Sequence, residues 1–161
     1  MILLVMGTTG SGKTTVGKML AERLGWLFLD ADDFHSPQNK EKMHRGLPLS
    51  DQDRAPWLAA IHNELLRQNQ LGRKVVLACS ALKREYREML RTGPEVKFVY
   101  LKGGRELLHR RLHARVGHFM TEKMLESQLA TLEEPHDAVI VDVDRSAEEI
   151  VAQIRVGLAI S

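Results

Sequence analysis

Residues 7–14 read Gly7-Thr8-Thr9-Gly10-Ser11-Gly12-Lys13-Thr14 and fit G-x-x-x-x-G-K-[ST], the pattern of a phosphate-binding loop. An apolar run, Ile2–Met6, precedes the loop, and an amphipathic stretch, Thr14–Leu24, follows it. Glycines let the backbone N–H groups converge on an anion at the positive end of the helix. We therefore predict that residues 7–15 bind ATP, with Thr15 as the last residue of the site. In this arrangement Lys13 bridges the β- and γ-phosphates, and the Thr14 hydroxyl ligates Mg²⁺.

Outward from this phosphate loop, nearly continuous apolar runs alternate with helical patterns. The predicted strands are Ile2–Met6, Trp26–Leu29, Val75–Cys79, Val96–Leu101 and Ala138–Val143. Such runs are typical of parallel strands covered on both faces. The order predicts a single α/β domain over 1–161, with a five-stranded parallel sheet between two helical layers, as in P-loop NTPases.

Local signals place several helix boundaries. Ser36-Pro37 predicts the start of a short helix that Gly46 ends, and a longer helix is predicted over Pro56–Leu71. Ser146 with Glu149 three residues later predicts a capping box. Two connections are too long for simple crossovers. We predict that residues 36–71 form a flap that holds the substrate and that residues 104–132 form a lid.

Composition excludes several classes of protein. The net charge of +2 is small and the basic residues are dispersed, which disfavours a nucleic-acid partner. No run approaches the roughly 20 apolar residues of a membrane span, and the N-terminal run has no basic leader of a signal peptide. Cys79 is the single cysteine, so no internal disulfide is expected. We predict a cytoplasmic protein in which Cys79 is a buried residue at a strand end.

Acidic residues follow the second predicted strand, in the run Asp30-Ala31-Asp32-Asp33. In an extended chain Asp30 and Asp32 would point to the same side. Ligands of open α/β sheets bind at the carboxyl ends of strands, and we expect the first two strands to be neighbours there. We assign Asp30 to Mg²⁺ and Asp32 to the proton of an acceptor hydroxyl.

Several ordered blocks resemble the gluconate kinases over nearly the whole chain. They are Met6–Thr15, Asp30–His35, Lys42-Met43 with Gly46–Leu49, Asp51–Arg54 with Pro56–Leu58, Cys79–Arg84 with Tyr86-Arg87, and Gly117–Met120. The resemblance implies transfer of the ATP γ-phosphate to the 6-hydroxyl of D-gluconate, for the pentose phosphate route. It also implies a fold similar to nucleoside monophosphate and shikimate kinases, and a homodimer. Thr121 departs from the Pro common at its position, but Thr can still cap a helix.

Gluconate is a polyhydroxy carboxylate, so its pocket requires cations and hydrogen-bonding groups. The candidates are His35, Lys42, Arg54, Lys83, Arg87 and, from the last block, His118. Arg111 and Arg115 lie four residues apart on one helical face. In kinases that this chain resembles, one such arginine stacks on adenine and the other reaches the transferring phosphoryl group. We assign Arg111 to the nucleotide and Arg115 to catalysis.

Rival functions remain on the same fold and outside it. A shikimate kinase would carry a glycine-rich end to the third strand, where this chain has Cys79-Ser80-Ala81. A GTPase is disfavoured because no N-K-x-D sequence is present. A nucleotide-binding regulator without turnover would have no use for Asp32 as a base. A small-molecule kinase acting on gluconate therefore leads these alternatives.

Overall fold

The computed structural model describes residues 1–114 and 118–161, and for 118–121 it describes the backbone only. The described strands are β1 (Ile2–Met6), β2 (Leu27–Asp30), β3 (Val75–Ala78), β4 (Val96–Lys102) and β5 (Val139–Asp142). The described helices are α1 (Lys13–Leu24), α2 (Pro37–His44), α3 (Asp51–Gln70), α4 (Arg84–Leu90), α5 (Arg105–His113), α6 (His118–Thr131) and α7 (Ala147–Leu158). One turn of 3-10 helix, Ala31–Phe34, follows β2.

The five strands form one parallel sheet in the order β2-β3-β1-β4-β5. This confirms the predicted parallel sheet. The expectation that β1 and β2 are neighbours is wrong, because β3 lies between them. Every residue of β3 is buried, whereas Leu27 of β2 is exposed. Burial thus places the uniformly apolar strand inside the sheet and the less apolar one at its edge.

Helices cover both faces of the sheet. On one face α3 and α4 bring Trp57, Leu58, Ile61 and Tyr86 onto the alternate β1 residues Ile2, Leu4 and Met6. On the other face α1 and α7 bring Val16, Leu20 and Ile154 onto Leu3 and Val5. Successive side chains of a strand point to opposite faces of the sheet, so one apolar strand contributes to the core on both faces. A smaller cluster, Leu108, Leu112, Leu125 and Leu129, joins α5 to α6.

Helix starts follow the local capping chemistry. Ser36 caps α2, whose first residue is Pro37, and the Ser146–Glu149 capping box opens α7, so both of these predictions are confirmed. The predicted start of the long helix at Pro56 is wrong, because α3 begins at Asp51. Ser50 and Asp53 form a capping box there, so the helix is already established when it reaches Pro56.

The predicted flap, 36–71, contains α2 and α3, and the predicted lid, 104–132, contains α5 and α6. That the first segment holds the substrate and that the second acts as a lid stay predictions. Cys79 is buried directly after β3, and burial raises the pKa of its thiol to about 12, which leaves it protonated and inert. Across the described ranges, no helix has the length and apolar character needed to cross a membrane.

Candidate active site

The phosphate loop leaves the carboxyl end of β1 and enters α1. Gly10 and Gly12 have φ values of 84° and 89°, in the left-handed region that favours glycine. Gly12 is the cap residue of α1 and provides no side-chain hydrogen bond to its first N–H groups. By contrast, Ser36, Ser50 and Ser146 cap their helices. The cap residues of α4 and α5, like that of α1, provide no side-chain hydrogen bond, and at α1 the first N–H groups adjoin the predicted phosphate loop. Anion binding there stays a prediction.

Asp30 links the phosphate loop to the end of β2. The Thr14 hydroxyl donates to Asp30 Oδ2 at 3.1 Å, and the Asp32 N–H donates to Asp30 Oδ1 at 3.0 Å. The expected extended arrangement of Asp30 and Asp32 is wrong, because β2 ends at Asp30 and the chain turns into the 3-10 helix. Asp30 caps that turn, which directs the two carboxylates to different neighbours.

The Thr14 and Asp30 side chains provide oxygen donors next to the phosphate loop. Mg²⁺ prefers such oxygens and usually reaches its full coordination with water and substrate phosphates. The donor pair therefore fits the predicted metal site. Among the described residues, no group of three or more His, Cys, Asp or Glu side chains could hold a metal without the nucleotide.

Asp32 faces a cleft of about 480 Å³ beside the phosphate loop. This acceptor cleft is lined by Thr9, Lys13, Asp32, His35, Lys40, Met43, His44, Leu49, Arg54, Trp57, Ser80, Leu82, Met124 and Gln128. Desolvation raises the pKa of Asp32, the neighbouring Lys13 opposes that rise, and Asp30 adds to it. A carboxylate with a raised pKa beside a phosphate-binding lysine is a candidate general base.

His35 forms one wall of the acceptor cleft. Its ring stacks on Trp57 with the centroids 4.3 Å apart, and Trp57 Nε1 donates to the Ala31 carbonyl at 2.7 Å. Burial, with the charges of Arg54 and Lys40, lowers the pKa of His35 to about 4. The neutral ring accepts from Asn39 Nδ2 at Nδ1, a 3.3 Å contact, so its proton lies on Nε2. His35 is thus a neutral hydrogen-bond donor.

Arg54 enters the acceptor cleft from the first turns of α3. Its guanidinium donates to the Tyr86 hydroxyl at 3.1 Å, and that hydroxyl in turn donates to Asp51. The chain of contacts fixes the position of a planar cation that can bind a carboxylate with two parallel hydrogen bonds.

Three other predicted substrate residues are placed elsewhere. Lys42 pairs with Asp53 at 2.8 Å and Lys83 pairs with Asp51 at 2.9 Å, so both cations brace the start of α3. Neither lines the acceptor cleft. Arg87 is buried and donates to the carbonyls of Ala81, Leu82 and Glu133. Each cation has a protein partner in this structure, and direct contact with the substrate stays a prediction for all three.

The predicted lid arginines are described only in part. Arg111 lies on α5 and donates to the Val143 carbonyl after β5. This position, near the loop where β5 ends, is compatible with the predicted nucleotide contact. Arg115 lies outside the described residues, as does the side chain of His118.

Among the lining residues that sequence reasoning did not assign to the site are Lys40, His44, Trp57 and Gln128. Lys40 and His44 lie one turn apart on α2, so the helical spacing after Ser36-Pro37 could have identified them together. No local signal marks Gln128. Its Oε1 accepts from the Thr9 N–H at 2.7 Å, a contact across 119 residues of sequence.

A phosphate loop that opens into a cleft with a carboxylate base defines a P-loop phosphotransferase acting on a small molecule. The family model for shikimate kinase matches residues 9–158. A gluconokinase of Gluconobacter oxydans is 53% identical, over 84% of this chain and 76% of its own length. The thermoresistant gluconokinase of Escherichia coli is 42% identical, over 94% and 89%. A solved gluconokinase of Sinorhizobium meliloti superposes with a TM-score of 0.88 at 46% identity, over 98% and 90%. The chain belongs to the gluconokinase family.

We predict that Arg87→Met lowers the free energy of unfolding by about 3 kcal/mol, because it leaves buried carbonyl groups without a donor. Urea denaturation followed by fluorescence measures this loss. Where the variant remains folded, its KM for the acceptor should stay close to that of the wild type. A large rise in the KM for the acceptor with unchanged stability would instead support direct contact between Arg87 and the substrate.

The low pKa of His35 predicts a pH-dependent loss of stability. An unfolded histidine takes up a proton below about pH 6.5, whereas folded His35 resists protonation down to about pH 4. Stability is therefore complete above pH 6.5 and falls as the pH drops towards 4. Between pH 8 and pH 5 the wild type should lose about 2 kcal/mol more than His35→Gln in urea denaturation. Equal losses in the two proteins would show that His35 titrates normally.

Proposed function

We propose that this protein transfers the γ-phosphoryl group of ATP to the 6-hydroxyl of D-gluconate, giving 6-phospho-D-gluconate and ADP. The observation that carries the proposal is the placement of Lys13 and Asp32 in the same cleft as Arg54. That cleft combines a phosphate-binding lysine, a base and a carboxylate-binding cation. The gluconokinase relatives, at up to 53% identity, support gluconate as the acceptor.

In the proposed reaction, Asp32 accepts the proton of the 6-hydroxyl as the oxygen attacks the γ-phosphorus. A new O–P bond forms while the bond from that phosphorus to the leaving oxygen of ADP breaks. The raised pKa makes Asp32 a stronger base than an ordinary aspartate. Lys13 stabilises the charge on the phosphoryl oxygens, and we infer that Arg115 adds a second cation there.

We propose Thr14 and Asp30 as the residues that hold Mg²⁺ with the nucleotide. When bound, the ion neutralises phosphate charge. The contact between these two side chains keeps their oxygens together at the edge of the phosphate loop. Arg111 is proposed to contact the nucleotide base, next to the loop that follows β5.

Arg54 is proposed to bind the gluconate carboxylate, with Lys40 adding positive charge to the acceptor cleft. His35 presents an N–H group that can donate to a substrate hydroxyl, because its other ring nitrogen is held by Asn39. Lys42 and Lys83 contribute indirectly through Asp53 and Asp51, which form the first turn of the helix that carries Arg54. His118 stays a predicted substrate contact.

The test is ADP release with Mg·ATP in the presence of D-gluconate, other sugar acids, shikimate, AMP or no acceptor. Stimulation by gluconate alone is expected. Stimulation by shikimate instead would retain the kinase and reject gluconate, in line with the name of the matching family model. ATP binding without turnover on any acceptor would indicate a nucleotide-binding regulator.

We predict that Asp32→Asn lowers kcat by about 10²–10⁴, the usual contribution of a general base. The melting temperature should change little, because the Asp32 side chain is exposed. Wild-type activity should fall as acid pH protonates Asp32, beginning above the ordinary aspartate pKa. The exposed neighbour Asp33→Asn is the control, with kcat expected to change little. Equal kcat values for the two variants would assign the base elsewhere.

We predict that Arg54→Ala raises the KM for gluconate by about 10- to 100-fold, since it removes a charged hydrogen bond to the carboxylate. The KM for ATP should change much less. Arg45→Ala is the matched control, because Arg45 is exposed at the end of α2 outside the cleft lining. Initial rates with each substrate varied measure both constants. A parallel rise in both KM values would reject a specific carboxylate contact.

Assembly and cellular role remain proposals from the family resemblance. We infer a homodimer in the cytoplasm whose product enters the pentose phosphate route. Light scattering coupled to size-exclusion chromatography measures the mass in solution, and a single 18.2 kDa species would reject the homodimer.

A further inference from the structure

Gln128 makes a direct contact with the phosphate loop from a distant helix. Its Oε1 accepts the Thr9 N–H at 2.7 Å, and both residues line the acceptor cleft beside Lys13. Lys13 Nζ in turn donates to the carbonyl of Thr8, the residue before Thr9, at 3.4 Å. The contact from Gln128 to Thr9 therefore lies next to the residue that the lysine contacts. A backbone N–H that would otherwise be open to an anion is thereby occupied by the amide oxygen of Gln128.

The position of Gln128 is set by contacts of the residues that follow it. One turn later the Leu132 N–H donates to the Gln128 carbonyl, and the Glu133 N–H donates to the Leu82 carbonyl at 2.8 Å. Arg87 holds the Glu133 carbonyl from α4 at 2.8 Å. Neighbouring Leu129 packs on the cluster that joins α5 and α6. Gln128 therefore reaches the phosphate loop from the fixed, C-terminal part of α6.

The contact also fixes the roles of the two amide atoms of Gln128. A glutamine amide whose oxygen accepts from the backbone still carries two N–H donors on Nε2. Within the described residues, Nε2 of Gln128 has no protein partner. Gln128 and Lys13 line the same cleft. A donor on Gln128 is therefore available to the terminal phosphate group that Lys13 is predicted to bind.

We propose that Gln128 is a nucleotide-discriminating residue: its amide oxygen positions the phosphate loop at Thr9 while its amide N–H donates to the γ-phosphoryl group. The inference rests on the proposed ATP-dependent transfer. It does not depend on which acceptor the enzyme uses. ATP, which carries the γ-phosphoryl group, should gain from this contact, and ADP should not.

The test compares binding of a non-hydrolysable ATP analogue and of ADP, each with Mg²⁺, by titration calorimetry without acceptor. Gln128→Glu keeps the side-chain length and an accepting oxygen but replaces the N–H donors with a negative charge. We expect about 10- to 100-fold weaker binding of the ATP analogue, the effect of a lost hydrogen bond to a charged group, and a much smaller change for ADP. Gln153→Glu, at an exposed position on α7, is the matched control and should alter neither affinity.

Gln128→Met provides a second variant that removes the donors without adding charge and keeps most of the volume. Its affinity for the ATP analogue should also fall relative to ADP, by a smaller factor than in Gln128→Glu. Equal losses for the two nucleotides in both variants would reduce Gln128 to a structural support of the loop and overturn the proposal. Unchanged affinities would overturn it as well. Failure of gluconate to stimulate turnover would reject the acceptor and leave this binding result intact.

Discussion

The uncapped first turn of α1 is the constraint on which the site depends. A helix exposes N–H groups at its start, and the chain satisfies them with serine side chains at α2, α3 and α7. At α1 the cap residue is Gly12, and it provides no side-chain hydrogen bond to the first N–H groups, as is also true of the cap residues of α4 and α5. At α1 these N–H groups are the donors that the predicted phosphate site requires. The left-handed glycines and the position of the loop at the end of a buried central strand serve the same requirement.

The cations in and around the acceptor cleft differ in their protein partners. Lys42 and Lys83 each have a carboxylate partner within 3 Å, and Arg87 is buried among carbonyl groups. Arg54 is positioned by a tyrosine hydroxyl and lines the cleft. Its positive charge helps to keep His35 neutral. The chain therefore presents a positive but hydrogen-bonding pocket, suited to a polyhydroxy carboxylate.

Several features of the fold followed from local sequence because their causes are local. The phosphate loop, the Ser36 and Ser146 caps and the apolar strands each depend on residues within a few positions of one another. The order of the strands did not follow, because no local signal states which strands pair. The apolar β3 and the less apolar edge strand β2 take their positions only when the sheet assembles. The predicted start of α3 at Pro56 is wrong because a proline is a stronger sequence signal than the Ser50–Asp53 capping box. That box forms the N-terminus of the helix.

The sequence by itself determined a P-loop kinase, the loop that binds phosphate and the two aspartates that follow the second strand. Only the tertiary structure decided what each cation contacts, because a lysine or arginine pairs with whichever carboxylate folding brings near it. Lys83 pairs with Asp51, and Lys42 pairs with Asp53. The sequence around each lysine does not indicate these partners. The contact from Gln128 to Thr9 has the same origin. Residues more than a hundred positions apart produce no periodic pattern in the sequence. Their contact therefore depends on how the helices pack in the folded protein.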